Sequence, residues 1–156
     1  MKELSNAQYN YDIGLRAIAS QPKQAKIYTD KVIYTVNKEM SFDIENEQLT
    51  SVDHFVGAIA SSMLLSFFQY DQKNEAIIEE MEGKFTFHLK NPLAYLHVRG
   101  YDETPAIQGL TLKWYVVTYE DEVDFQQMFT EAMENCILYQ TVKDVIDISV
   151  SFKAII

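Results

Sequence analysis

The 156-residue chain lacks several features that mark other classes of protein. Its one cysteine, Cys136, excludes a disulfide within the chain, and its 5 glycines and 3 prolines exclude a collagen-like or low-complexity sequence. No apolar run approaches the about 18 residues of a membrane span, and the opening MKEL is not typical of a signal peptide. We therefore expect one soluble, compact domain, and the cysteine content fits a reducing cytoplasm.

Positive charge is also scarce. The chain has 13 lysines and arginines against 23 acidic residues, a net charge of −10, and its only arginines are Arg16 and Arg99. Nucleic acids and anionic membranes require a basic surface that replaces phosphate counterions. The sequence therefore predicts no nucleic-acid partner and no membrane partner.

The periodicity of apolar residues predicts an α+β protein in the order strands, helix, strands, helix, strand. The predicted helices cover residues 52–70 and 123–138. A polar turn is predicted over residues 71–74, directly after the first helix. The predicted strands cover residues 25–36, 85–90, 93–98, 110–117 and 146–153, with a further candidate over residues 40–44. Residues 1–24 are left open between a helix, a strand and an arm, and residues 25–156 are assigned to the domain.

The first predicted helix has almost no polar face. Thr50 or Ser51 can cap it, and Asp53 lies in its positively polarised first turn. Only small serines interrupt the apolar residues that follow. A helix that is apolar all round must be buried all round, and a domain of this size rarely encloses five helical turns by itself. We therefore expect a partner subunit to cover part of it in a homodimer.

Few residues point to chemistry on their own. The three histidines are scattered, no phosphate-binding glycine loop is present, and the acidic runs over residues 75–82 and 120–124 are typical of solvated faces. The sequence therefore predicts no metal and no cofactor. Cys136 falls in the apolar stripe of the second predicted helix, near its C-terminus, where the helix dipole disfavours a thiolate. That position favours a core residue, although a reactive thiol stays open.

Two segments resemble the OsmC/Ohr family of osmotically inducible and organic hydroperoxide resistance proteins. TSVDHFVGAIASSM over residues 50–63 is similar to the central helix of the family, and ENCILYQTV over residues 134–142 is similar to its later Cys-Pro-Val segment. The resemblance implies an intertwined homodimer with the central helices at its heart. It also implies reduction of lipophilic hydroperoxides by a peroxidatic cysteine and a resolving cysteine, assisted by an arginine and a glutamate.

Most of that machinery is absent from this sequence. The peroxidatic position falls on Ser62, and the resolving position on Cys136, followed by Ile137 instead of proline. The glutamate position falls on Val52, with Asp53 as a neighbouring substitute. No arginine occurs over residues 40–43, where the resemblance places it. Cys136, Ser62 and Asp53 therefore form a candidate site that has lost most of its family chemistry.

Three functions follow from these residues. The first is a protein that has lost two-cysteine peroxidase activity and binds a small apolar ligand near Ser62, Cys136 and Asp53, without acting as an enzyme. The second is a one-cysteine hydroperoxide reductase that uses Cys136. The third is a structural or interaction protein whose acidic surface meets a basic partner.

Overall fold

A computed structural model describes residues 11–38, 40, 45 and 48–155. The chain divides into two compact units, Met1–Phe55 and Val56–Ile156. The predicted α+β class and the order of strands and helices are confirmed. The described elements are β1 (Arg16–Gln21), β2 (Gln24–Tyr28), β3 (Ile33–Asn37), α1 (Ser51–Asn74), β4 (Ile78–Lys90), α2 (Pro92–Tyr95), β5 (Ala106–Thr118), α3 (Phe125–Met133), α4 (Ile137–Val142) and β6 (Asp147–Ile155).

The first unit contains an antiparallel sheet in the order β1-β2-β3. Ala25 pairs with Val36 and Ile27 with Tyr34, so these four side chains share one face of the sheet. The strand β1 falls within residues 1–24, which the sequence left unassigned. The candidate strand over residues 40–44 lies outside the described residues, apart from Met40.

The second unit contains a mixed sheet in the order β4-β5-β6. The strands β4 and β5 form an antiparallel pair, whereas β5 and β6 run parallel. A parallel pair requires a crossover connection, and α3 and α4 lie within it. Alternate residues of β5 face the core, so Leu110, Leu112, Trp114 and Val116 are all fully buried, whereas Thr111 and Lys113 between them are exposed.

The hydrophobic core of the second unit lies against that central strand. Ile59, Met63 and Phe67 recur every fourth residue along α1 and are buried, as helical spacing requires. The Trp114 ring stands 4.7 Å from the Phe67 ring and 5.4 Å from the Phe129 ring of α3, centroid to centroid, in edge-to-face contacts. The helices and the sheet are therefore joined through one aromatic cluster.

Only one face of α1 is buried within a single chain. Phe55 is 46% exposed and Leu65 is 55% exposed. By length and composition α1 could also cross a membrane, although its Ile59, Met63 and Phe67 lie in the core of the second unit. Burial of the whole helix, and the homodimer that it implies, remain predictions.

The strand predicted over residues 93–98 is wrong. Pro92 opens the short helix α2 instead, with its ring-fixed φ suited to the first helical position. Asn91 before it and His97 after it adopt left-handed φ values of 55° and 57°. Left-handed residues interrupt an extended chain, so the apolar residues between them cannot continue a strand.

The predicted ends of the two long helices also need correction. The predicted turn over residues 71–74 is the last turn of α1, and Asp71 within it is fully buried. The helix predicted over residues 123–138 divides into α3 and α4, because Cys136 is extended (φ −84°, ψ 103°). Both errors concern the points where a helix ends, which hydrophobic periodicity locates poorly.

Candidate functional site

The structure brings together Ser62 and Cys136, two of the three site residues predicted from the sequence. The Ser62 Oγ lies 3.4 Å from the Cys136 Sγ, and either group can donate the hydrogen bond. They are 74 residues apart in the chain. The half-buried Ser62 follows the buried face of α1, whereas Cys136 is only 1% exposed.

The linker between α3 and α4 holds Cys136 in place. The Cys136 N–H donates to the Met133 carbonyl at 3.2 Å, and the Cys136 carbonyl accepts from the Gln140 N–H at 2.9 Å. The Gln140 side chain also donates to the Met133 carbonyl at 2.8 Å. These contacts fix the backbone on both sides of the thiol.

The predicted position of Cys136 within its helix is wrong. We expected it near the C-terminus of one long helix, where the dipole disfavours a thiolate, but it is the residue that precedes α4. The dipole argument against a reactive thiol therefore does not apply. Burial of the side chain is the feature that limits its access to a reactant.

The third predicted site residue, Asp53, lies in the first unit and caps the start of α1. Its Oδ2 accepts hydrogen bonds from the Thr50 N–H at 2.9 Å and the Thr50 hydroxyl at 2.8 Å. The Asp53 N–H donates in return to the Thr50 Oγ1 at 3.2 Å. This reciprocal capping box confirms Thr50 as the cap and gives Asp53 a structural role.

The arginine implied by the family resemblance has no counterpart at its expected place, because the sequence has no arginine over residues 40–43. Arg16, the only earlier arginine, belongs to β1, and its guanidinium carbon stands 4.6 Å from the centre of the Tyr28 ring. That separation is typical of a cation–π contact, which occupies the face of the guanidinium.

The Ser62–Cys136 pair has little redox chemistry of its own. A thiolate attacks a peroxide and becomes a sulfenic acid, which a second thiol converts to a disulfide. A serine hydroxyl does not follow this route, so an oxidised Cys136 would find an alcohol where a second sulfur is needed. The pair retains the proximity of a two-thiol site without its second thiol.

One polar contact escaped the sequence reasoning. The Tyr70 hydroxyl of α1 donates a hydrogen bond to Glu131 of α3, 61 residues later. This bond, aided by a second one from Gln127, lowers the pKa of the Glu131 carboxyl. The same bond raises the pKa of Tyr70. No periodicity rule pairs residues on two separate helices, so the sequence carried no signal for it.

A cavity of about 600 Å³ adjoins this contact. It is lined by six carboxylates: Glu75, Glu120, Asp121, Glu122, Asp124 and Glu131. Within the described part of the chain, no group of three or more His, Cys, Asp or Glu side chains is placed to hold a metal ion. Glu75 and the acidic run over residues 120–124 contribute to one negatively charged surface.

Comparison of the structure with solved structures identifies its fold. An OsmC-like protein from Mycoplasma pneumoniae matches with a TM-score of 0.71 at 11% identity, over 94% of this chain and 99% of that one. An organic hydroperoxide resistance protein from Elizabethkingia anophelis gives 0.68 at 9% identity, over 95% and 99%. The organic hydroperoxide resistance protein OhrB of Bacillus subtilis gives 0.61 at 16% identity, over 92% and 98%.

The chain thus has the OsmC/Ohr fold. The resemblance inferred from two short segments is confirmed at the level of the whole fold, with nearly complete coverage of both chains. No protein-family model matches the sequence, and no curated protein matches it significantly. At such low identity the structural similarity establishes the fold alone. The activity has to be argued from the residues of the site.

Proposed function

We propose that this protein is an OsmC-fold homodimer that has lost two-cysteine peroxidase activity and binds a small apolar ligand near Ser62 and Cys136. The observation that carries the proposal is the 3.4 Å contact between the Ser62 Oγ and the Cys136 Sγ. The two positions expected for the peroxidatic and resolving thiols are in contact, and one of them is an alcohol.

The surroundings of the pair support binding rather than turnover. Ile59 and Met63 flank Ser62 on α1 and belong to the buried core, as does Met133 beside Cys136. Apolar surroundings favour an apolar ligand. A ligand bound there would be held without being reduced.

The homodimer is part of the same proposal. The exposed apolar residues Phe55 and Leu65 of α1 lie on a helix whose composition is apolar on nearly every side. Exposed surface of this kind is typical of association sites. Its burial against a second copy would complete the environment expected for a central helix. We place the protein in the cytoplasm, where its single thiol would stay reduced.

The proposal is tested by consumption of cumene hydroperoxide with excess dithiol. We compare the wild type with Ser62→Cys, with Cys136→Ser, and with Ser61→Cys as the matched control. Ser61 is the exposed neighbour of Ser62 on α1, so the control adds a thiol without placing it at Cys136. We expect an inert wild type, an inert control, and turnover only in Ser62→Cys, with a disulfide to Cys136 detected by mass spectrometry.

Other outcomes contradict the proposal. Wild-type turnover that Cys136→Ser abolishes would establish the second candidate, a one-cysteine reductase. The contact of the Cys136 thiol with the Ser62 hydroxyl is the observation in its favour, since the hydroxyl can donate to a thiolate. A Ser62→Cys variant that forms the disulfide but never reduces peroxide would show that more than the nucleophile has been lost.

A further inference from the structure

The break between α3 and α4 decides where the Cys136 thiol lies. Apolar residues recur at helical spacing through Ile137, so the sequence pattern favours one continuous helix. The structure instead ends α3 at Met133 and begins α4 at Ile137. The residues between them, Glu134, Asn135 and Cys136, include neither glycine nor proline, which are the residues that most strongly interrupt a helix. A specific contact is therefore needed to favour the break.

The main-chain carbonyl of Met133 makes that contact. In a continuous helix it would accept the N–H of Ile137, four residues later. In the structure it accepts the Cys136 N–H at 3.2 Å and the Gln140 side-chain amide at 2.8 Å. A carbonyl oxygen has two lone pairs, so these two donors use its full capacity. Gln140 thus occupies the acceptor that continuation of α3 would need.

Gln140 also bonds to Cys136 itself. Its backbone N–H donates to the Cys136 carbonyl at 2.9 Å, and Cys136 is extended, with φ −84° and ψ 103°. A helical residue has ψ near −42°, so continuation of the helix would rotate the chain at Cys136 by about 145°. Because Met133 of α3 and Val142 of α4 are both buried, that rotation could not leave the thiol and both helices where they are.

We propose that Gln140 is a positioning residue, which sets the Cys136 thiol against Ser62 by holding the break between α3 and α4. This role rests on the pairing of Ser62 with Cys136 in the proposed function, but it requires neither a ligand nor reduction of a peroxide. It depends on the N–H donor of the side chain. A side chain of the same length without a donor should therefore fail at this position.

The experiment measures the equilibrium of disulfide formation in Ser62→Cys against a glutathione buffer. The thiols at positions 62 and 136 form one S–S bond and give up two protons and two electrons, and glutathione disulfide takes these up and becomes two glutathione molecules. The equilibrium constant reports how well the protein holds the two sulfur atoms within bonding distance. Mass spectrometry after acid quenching gives the ratio of oxidised to reduced chains.

Three variants at position 140, each combined with Ser62→Cys, separate the donor from the shape of the side chain. Gln140→Met keeps the unbranched length and removes the donor, and the ionised carboxylate of Gln140→Glu can only accept. Gln140→Lys keeps a donor. Thr141→Val is the matched control, because the Thr141 hydroxyl donates to the Ile137 carbonyl at 2.8 Å within α4 and leaves the Met133 carbonyl untouched.

We expect Gln140→Met and Gln140→Glu to lower the equilibrium constant for the disulfide by about three- to tenfold, as the loss of one hydrogen bond implies. Gln140→Lys and Thr141→Val should stay within about twofold of the parent. Urea unfolding of the reduced chains should show small and similar losses for Gln140→Met and Thr141→Val, since each removes one side-chain hydrogen bond. A purely structural role would change that stability without a selective change in the disulfide equilibrium.

Several results would overturn the inference. Equal disulfide constants for Gln140→Met and Thr141→Val would do so, as would a loss in Gln140→Lys as large as that in Gln140→Met. If the parent Ser62→Cys chain formed no disulfide, Cys136 would not be held against position 62 and the positioning role would fall with the pairing. A disulfide that depends on Gln140 in a chain that never reduces peroxide would support the positioning role and contradict only the proposed function.

Discussion

The buried carboxylate of Asp71 provides a sharp stability prediction. The side chain is 0% exposed at the end of α1. Its Oδ1 accepts from the Ile77 N–H at 3.1 Å, and its Oδ2 accepts from the Ile78 N–H at 3.0 Å. These bonds fix the turn that leads from α1 into β4. Asp71→Ala would leave both amide groups without this acceptor.

The magnitude follows from the two bonds. A hydrogen bond to a charged group contributes about 1.5–3 kcal/mol, so loss of both lowers the free energy of unfolding by about 3–6 kcal/mol. Asp71→Asn keeps one carbonyl acceptor but loses the charge, and should cost about half as much. With a urea m-value of about 2 kcal/mol/M, Asp71→Ala shifts the unfolding midpoint down by about 1.5–3 M.

The assay is urea unfolding followed by circular dichroism at equal protein concentrations. Asp102→Ala is the control, because Asp102 is exposed in the loop before β5 and its loss should change stability by less than about 0.5 kcal/mol. If Asp71→Ala and Asp102→Ala unfolded at the same urea concentration, the two amide bonds would contribute no net stability and the reasoning would be refuted.

Three further predictions concern backbone space, backbone strain and pH. A methyl group added at Gly83 would stand 2.5 Å from the Phe85 ring. Gly83→Ala should therefore lower the free energy of unfolding by about 1–3 kcal/mol and shift the fluorescence emission of the single tryptophan. An unchanged urea unfolding curve would contradict this. Ala76 has a φ of 51°, so Ala76→Gly should raise the melting temperature by about 1–4 °C, and a decrease would show that no strain is present. The hydrogen bond from Tyr70 lowers the pKa of Glu131 below its usual value of 4.5. The bond therefore stabilises the folded protein fully at pH values above 4.5, and this stabilisation is lost as the pH falls through the lowered pKa. The wild type should therefore melt above Tyr70→Phe at neutral pH, with the difference shrinking below pH 4.5; a difference independent of pH would refute the link.

Sequence reasoning was most successful where packing follows a simple period. The alternation of Leu110, Leu112 and Trp114 predicted a strand, and β5 is a strand in which these three residues are fully buried. The resemblance of two short segments predicted that Ser62 and Cys136 belong to one site. Their contact at 3.4 Å could not have come from periodicity, because it joins residues of separate elements.

The wrong predictions have a common physical cause. The apolar residues between Asn91 and His97 look extended by composition, yet left-handed backbone at both positions turns the chain. Asp71 looks like a turn residue, yet its carboxylate is buried because two backbone amides bind it. In each case local hydrogen bonding outweighed hydrophobicity, and single-residue patterns do not register such bonds.

The parallel pairing of β5 with β6 also sets the order in which the core can form. Gly109 pairs with Asp147, 38 residues later, so β6 can join only after the chain through α3 and α4 has closed a long loop. Pairing of this kind is slow, and until it occurs one edge of β5 is open to other chains. The β4–β5 pair should therefore assemble early during folding. The interval before β6 arrives is when this protein would be most prone to aggregate.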